Sequence, residues 1–249
     1  MSRVFCVVNQ KGGVGKTTTA VSLAAGMARS GAATLLIDLD PQCHATTGLG
    51  MNPLARHPFA DSGKPIIQSI VPTAIQHLDI LAGCGSFEEV ELLVSLDEER
   101  REELVQRLRE GIKKYEYVLI DCPPSRGRLT QTALGFSTEV LMPIQCEFYA
   151  MEGLVQQIRI IGDIIHRRQG ELAFGGVVLT MYDPTLELTH EVDDQVREFF
   201  GEVVFKTVIP RDVALSEAPS YGKSIFEYAP RSRGARAYTE LCMEVMERV

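Results

Sequence analysis

The sequence is short of positive charge, has no long apolar run and offers no paired cysteines, and each absence excludes something. Its 249 residues carry 25 lysines and arginines against 33 aspartates and glutamates, a net charge of -8. No global positive field therefore draws the chain to nucleic acid or anionic lipid, and any such binding has to come from a local patch. No stretch reaches the roughly 18 apolar residues of a membrane-spanning helix, and the N-terminus enters a strand-like run at Arg3 with no charged leader and cleavage site. A cytoplasmic protein is expected. The six cysteines (Cys6, Cys43, Cys84, Cys122, Cys146, Cys242) include no C-x-x-C pair, and several sit inside apolar runs where a free thiol behaves as a small hydrophobe. Cys43 and His44 are adjacent, but no third or fourth ligand stands at metal-site spacing.

What is there is an alternation. Short runs rich in Val, Ile and Leu, at Val4–Val8, Thr34–Asp38, Leu78–Leu81, Tyr117–Asp121, Val140–Ile144, Gly176–Met181 and Val203–Ile209, read as strands covered on both faces. Stretches of helical period separate them at Thr17–Arg29, Glu98–Lys114, Met151–Arg168, Leu186–Phe200 and Ala235–Arg248. The pattern predicts an α/β fold: a doubly wound, mostly parallel sheet with helices on both faces, binding its ligand at the carboxyl ends of the strands. Residues 1–249 are expected to form one domain. The stretch Met51–Pro72, with four prolines and no period, reads as a surface excursion.

The first strand leads into Gln10-Lys11-Gly12-Gly13-Val14-Gly15-Lys16-Thr17-Thr18 and then a helix. Three glycines let backbone N–H groups turn toward phosphate oxygens, the helix start adds partial positive charge, and Lys16 adds a full one. Thr17 can offer its hydroxyl to Mg2+. The second strand ends in Asp38-Leu39-Asp40-Pro41-Gln42, two carboxylates at i and i+2 on one face, beside the phosphate loop. The fourth ends in Asp121-Cys122-Pro123-Pro124-Ser125, where Asp121 suits a water-mediated Mg2+ contact and the prolines fix a segment able to report the γ-phosphate.

Gln10 stands where the strict phosphate-loop spacing wants its first glycine, and KGGVGKTT with its early Lys11 resembles the deviant Walker A group that includes ParA, MinD and the nitrogenase iron protein. Adding DLDPQ, DCPPS, PIQCEFYAMEGL and IPRDVALSEAPSYGKSIFEYAPRSRGARAY, the chain is similar almost end to end to the ParA/Soj partition ATPases, and with no room ahead of its first strand for a DNA-reading domain it matches their short type. The resemblance implies an ATPase of low turnover using ATP and Mg2+, with residues Lys11 to Thr18 on the nucleotide. It implies that Lys11 crosses a nucleotide-sandwich homodimer, Asp40 positions water, Asp38 supports the metal side, and Pro210 and Asp212 lie around the adenine. Asp212 stands where Asn is common. It further implies a nucleoid-associated ATP dimer that binds double-stranded DNA without sequence preference and is stimulated by a ParB-type partner.

Lys206, Arg211, Lys223, Arg231, Arg233 and Arg236 form a local basic excess suited to DNA phosphates. Against this, Ala214 and Thr185 occupy positions where relatives carry basic residues, which keeps open a positioning ATPase for another cargo. The last helix flanks its Leu241, Val245 and Val249 stripe with acid, which suits core packing and not a membrane.

Overall fold

The computed structural model describes residues 2–60, 65–88, 98–124, 127–147, 161–166 and 171–248. Eight strands, β1 (Arg3–Val7), β2 (Thr34–Asp38), β3 (Val71–Pro72), β4 (Leu78–Leu81), β5 (Tyr117–Asp121), β6 (Glu139–Gln145), β7 (Ala173–Tyr182) and β8 (Val204–Pro210), form one sheet in the order β3-β4-β2-β5-β1-β6-β7-β8. Every pairing is parallel except β3 with β4. All seven apolar runs are strands. From β1 the chain first crosses to β2 on one side and later returns to β6 on the other, so the crevice where ligands of such sheets sit opens at the end of β1.

The unbroken apolar runs have a physical reason. Alternate side chains of one strand enter opposite cores: Val4 and Cys6 join one cluster, Phe5 and Val7 the other. Helices α1 (Lys16–Arg29) and α8 (Arg233–Glu247) close the second face, with Leu23, Met27, Tyr238, Leu241 and Val245 buried. On the first face, α3 (Glu98–Gly111), α4 (Arg128–Phe136) and α5 (Glu187–Phe200) contribute Leu108, Ala133 and Val196. Three shorter helices are α2 (His44–Gly48), α6 (Val213–Glu217) and α7 (Ile225–Tyr228), the last packed against the final turn of α1 through Phe226. Of the helix expected over Met151–Arg168, residues 161–166 are helical and the rest lies outside the described residues, as do Ser125 and Val249.

The described residues of the stretch from Met51 to Pro72 are only in part the surface excursion its composition suggests. His57, Phe59, Ala60 and Ile66 are buried, the first with its ring 4.3 Å from Phe59 and 4.8 Å from Phe87. Burial pushes the His57 imidazole down to about 3, so it is neutral, and its Nδ1 accepts from the Phe59 amide. All six cysteines are buried free thiols.

Candidate functional site

At the end of β1 the chain turns outward on Asn9, whose amide donates to the Pro143 carbonyl while its Oδ1 accepts from the Lys11 amide. Gly13 and Gly15 then take φ values of 77° and 87°, the left-handed region a side chain resists, and Gly15 caps α1. Thr180 on β7 donates its hydroxyl to the Val14 carbonyl at 2.9 Å and so fixes the loop from beneath. The first turn of α1 holds no acidic residue, leaving its positive end for an anion. Lys16 is buried, and its ammonium donates to the Lys11 carbonyl across the loop at 3.0 Å. Burial pulls the Lys16 pKa below its ordinary value, and Asp121 and Asp40 oppose that pull.

Two carboxylates face this loop in register, Asp38 on β2 beside Asp121 on β5. Asp38 is saturated: Oδ1 accepts from the Asp40 amide, and Oδ2 accepts from the Thr46 amide at 2.9 Å and the Thr46 hydroxyl at 2.6 Å. The same hydroxyl accepts from the Gly83 amide, so Asp38 braces α2 against the end of β4. Asp40 lies beyond the strand, with Oδ1 accepting from the Gln42 amide at 2.9 Å.

Asp121 is different. It is fully buried and neither oxygen has a hydrogen-bond partner among the described residues. Burial raises its pKa well above the carboxylate range and Asp38 adds to the rise, opposed by Thr17 and Lys16. The Thr17 hydroxyl stands close enough to favour the ionised form but falls short of hydrogen-bond geometry. A buried carboxylate without partners, next to a threonine hydroxyl and at the mouth of an anion cradle, fits a hydrated hard cation such as Mg2+.

Beyond the loop lies a cavity of about 460 Å3, within the range of small-ligand sites. Gly15, Thr17 and Thr18 line one side, Pro210 and Asp212 another. The cavity thus brings the loop together with the two residues placed around the adenine. His44, Met181 and Tyr238, which sequence reading missed, line it as well. Tyr238 reaches it from α8 and meets the Thr19 hydroxyl at 3.1 Å. No local signal marks these residues, because each arrives from a distant element.

The six basic residues are exposed but not one group. Arg211 and Lys223 line the cavity. Arg233 donates to the Arg211 carbonyl, and Arg236 follows one turn later on α8. Lys206 sits near the other end of β8, where Glu244 takes its backbone amide, so the structure separates it from the rest by about 13 Å of strand. Lys11 is also exposed, its ammonium 3.1 Å from Glu147.

A glycine-bent cradle on a helix start, a buried lysine beside a half-buried threonine, and three acids at neighbouring strand ends define a P-loop ATPase. Comparison with known proteins agrees. A family model described as an AAA domain matches residues 2–174. The sporulation initiation inhibitor protein Soj of Bacillus subtilis is 42% identical over 98% of this chain and 98% of its own length. The chromosome partitioning protein ParA of Myxococcus xanthus is 38% identical over 100% and 89%. Among solved structures, cobyrinic acid a,c-diamide synthase of Mycobacterium smegmatis with ADP and magnesium superposes with a TM-score of 0.84 at 30% identity, covering 99% of this chain and 94% of that one. The chain belongs to the ParA/Soj family of P-loop ATPases.

Proposed function

We propose that this protein is a Mg-ATP-dependent partition switch, acting in the cytoplasm on the nucleoid, that dimerises around ATP, binds DNA without sequence preference as the dimer and is reset by a ParB-type partner. The single observation that carries the chemistry is the partnerless Asp121 beside Thr17 and Lys16. The partition role is supported by the names of relatives that match nearly end to end.

In this reading the backbone N–H groups of residues 12–17 and the Lys16 ammonium hold the phosphates, and Lys16 leaves the Lys11 carbonyl to do so. Thr17 and Asp121 would hold Mg2+, while Asp38 keeps the Asp40 backbone in place. The bound ion neutralises charge on the phosphate oxygens. Asp40, oriented by the Gln42 amide, positions the attacking water in line with the γ-phosphate. Lys11 exchanges Glu147 for the nucleotide of the second protomer. Pro210 lies against the base, and Arg211, Arg231, Arg233 and Arg236 supply phosphate contacts to DNA, doubled by dimerisation.

The second reading is a positioning ATPase for another cargo, with little DNA affinity. It is favoured by Ala214 and Thr185, and by the fact that Arg211 and Lys223 face the nucleotide cavity while the Thr185 hydroxyl is bound to Asp183. One experiment separates the two. The Asp40→Ala protein, expected to bind ATP and dimerise but scarcely hydrolyse it, is titrated with a nonspecific duplex with ATP, with ADP and without nucleotide at several salt concentrations. Binding with ATP alone that weakens steeply with salt supports partition. ATP dimers that ignore DNA support the second reading, and a monomer with ATP bound refutes both.

A further inference from the structure

Asp212 departs from the asparagine common in the family, and its surroundings explain the departure. It precedes α6 in extended conformation, and its Oδ1 accepts from the Ala214 amide at 3.0 Å, the ordinary bond of a helix cap. Its Oδ2 accepts from the Gly234 amide at 2.7 Å, and Gly234 is the second residue of α8. One carboxylate therefore serves the positive ends of two helices, the second through an amide 22 residues further along the chain. The approach is close: a Cβ on Gly234 would stand 2.7 Å from the Leu215 side chain of α6. Arg233 adds a bond to the Arg211 carbonyl across the same gap, and Ser232 caps α8 through the Ala235 amide, leaving the Gly234 amide to Asp212. An asparagine has one acceptor oxygen in its side chain, so it could serve one of these amides and would turn an N–H toward the other.

We propose that Asp212 is a positioning residue, a clamp joining α6 to α8 that shapes the base end of the nucleotide cavity without itself reading the adenine amino group. Both oxygens are committed to backbone amides, and the walls they hold in place, Leu215 and Ser216 on α6 and Tyr238 on α8, line that cavity. Base binding then depends on Asp212 through geometry and not through a direct contact. The inference rests on the ATPase assignment and is independent of DNA binding.

The test compares ATP with purine riboside triphosphate, which lacks the adenine amino group, in the full-length wild type, Asp212→Asn and Asp212→Ala. Wild-type turnover of Mg-ATP tests the ATPase reading by itself. For the clamp, both variants raise KM by about tenfold, the scale of losing a charge-assisted hydrogen bond, by the same factor for both nucleotides and with kcat retained. Asp212→Asn, which keeps one bond, serves if Asp212→Ala does not fold. A direct base reader gives the opposite pattern: KM rises for ATP alone in Asp212→Ala, and Asp212→Asn behaves as wild type. That result overturns the proposal, as do variants with unchanged KM or with a loss confined to kcat.

Discussion

Asp38 and Asp121 end adjacent strands, in register, each with no exposed surface, yet one carboxylate accepts three hydrogen bonds and the other none. Three donors offset part of the cost of burying Asp38, although burial still holds its pKa above the ordinary carboxylate value. Among the described residues no donor bonds Asp121, and Thr17 and Lys16 oppose its burial only in part, which leaves it in the state that a cation would relieve. Burial alone does not separate scaffold from chemistry at this site. The count of satisfied lone pairs does.

The largest effect that would sharpen this contrast is expected from Asp121→Asn. Mg-ATP hydrolysis should fall by roughly 10²–10³-fold, the scale of losing several kcal/mol of charge stabilisation. The nucleotide-free protein should at the same time become more stable, by about 1–3 kcal/mol near neutral pH, because the unfolded chain no longer gains by ionising a carboxyl whose burial opposes ionisation in the fold. The pH dependence has a definite sign. A carboxyl whose folded pKa is raised stays protonated in the native state while the unfolded chain ionises near 3.8, so stability is retained below about pH 4 and lost as pH climbs toward the folded value. Thermal unfolding from pH 4 to 8 should show wild type losing ground to Asp121→Asn, and parallel curves would break the contrast.

Asp38→Asn should do the reverse. It leaves an N–H turned on backbone or hydroxyl donors, and chemical denaturation should show a loss of about 1–3 kcal/mol. A stabilised Asp38→Asn would mean that its three bonds do not offset burial. The smallest effect is expected from Glu147, an acid that is neither buried nor deprived of partners. Its pair with Lys11 leaves both side chains more than 40% exposed, at 46% and 41%. Such a pair contributes little, so Glu147→Gln should change stability by less than about 0.5 kcal/mol in the same denaturation assay.

Most of the fold could be read before any coordinates because a parallel sheet covered on both sides writes itself as apolar runs. β1 to β8 were all legible except β3, whose two residues are too few to carry a period. Helix α4 was missed for a different reason: its sequence RLTQTALGF has threonine and glycine inside a nine-residue span, and its burial against the sheet, with Leu129, Thr132 and Ala133 inside, overrides a weak local preference. In the site, the loop and the three aspartates were legible because phosphate chemistry demands them at fixed spacing. Thr180, Asn9 and Tyr238 were not, since their roles depend on partners more than 100 residues away: Thr180 on Val14, Asn9 on Pro143 and Tyr238 on Thr19. Asp212 was legible as a residue of the site, and it lines the cavity, but its bond to the Gly234 amide was not, because that partner lies 22 residues away.

The short strand β3 has a consequence for the behaviour of the protein in a crowded solution. An open sheet ends in two rows of backbone groups, and either row can template a second copy into an uncontrolled stack. On one side the outermost strand is two residues long, and one of them, Pro72, has no N–H to give. On the other side β8 carries the charged Lys206 near its start, exposed to water. For the ATP-gated dimer proposed above, copies must first avoid meeting by accident, and the borders of this sheet are built to refuse it.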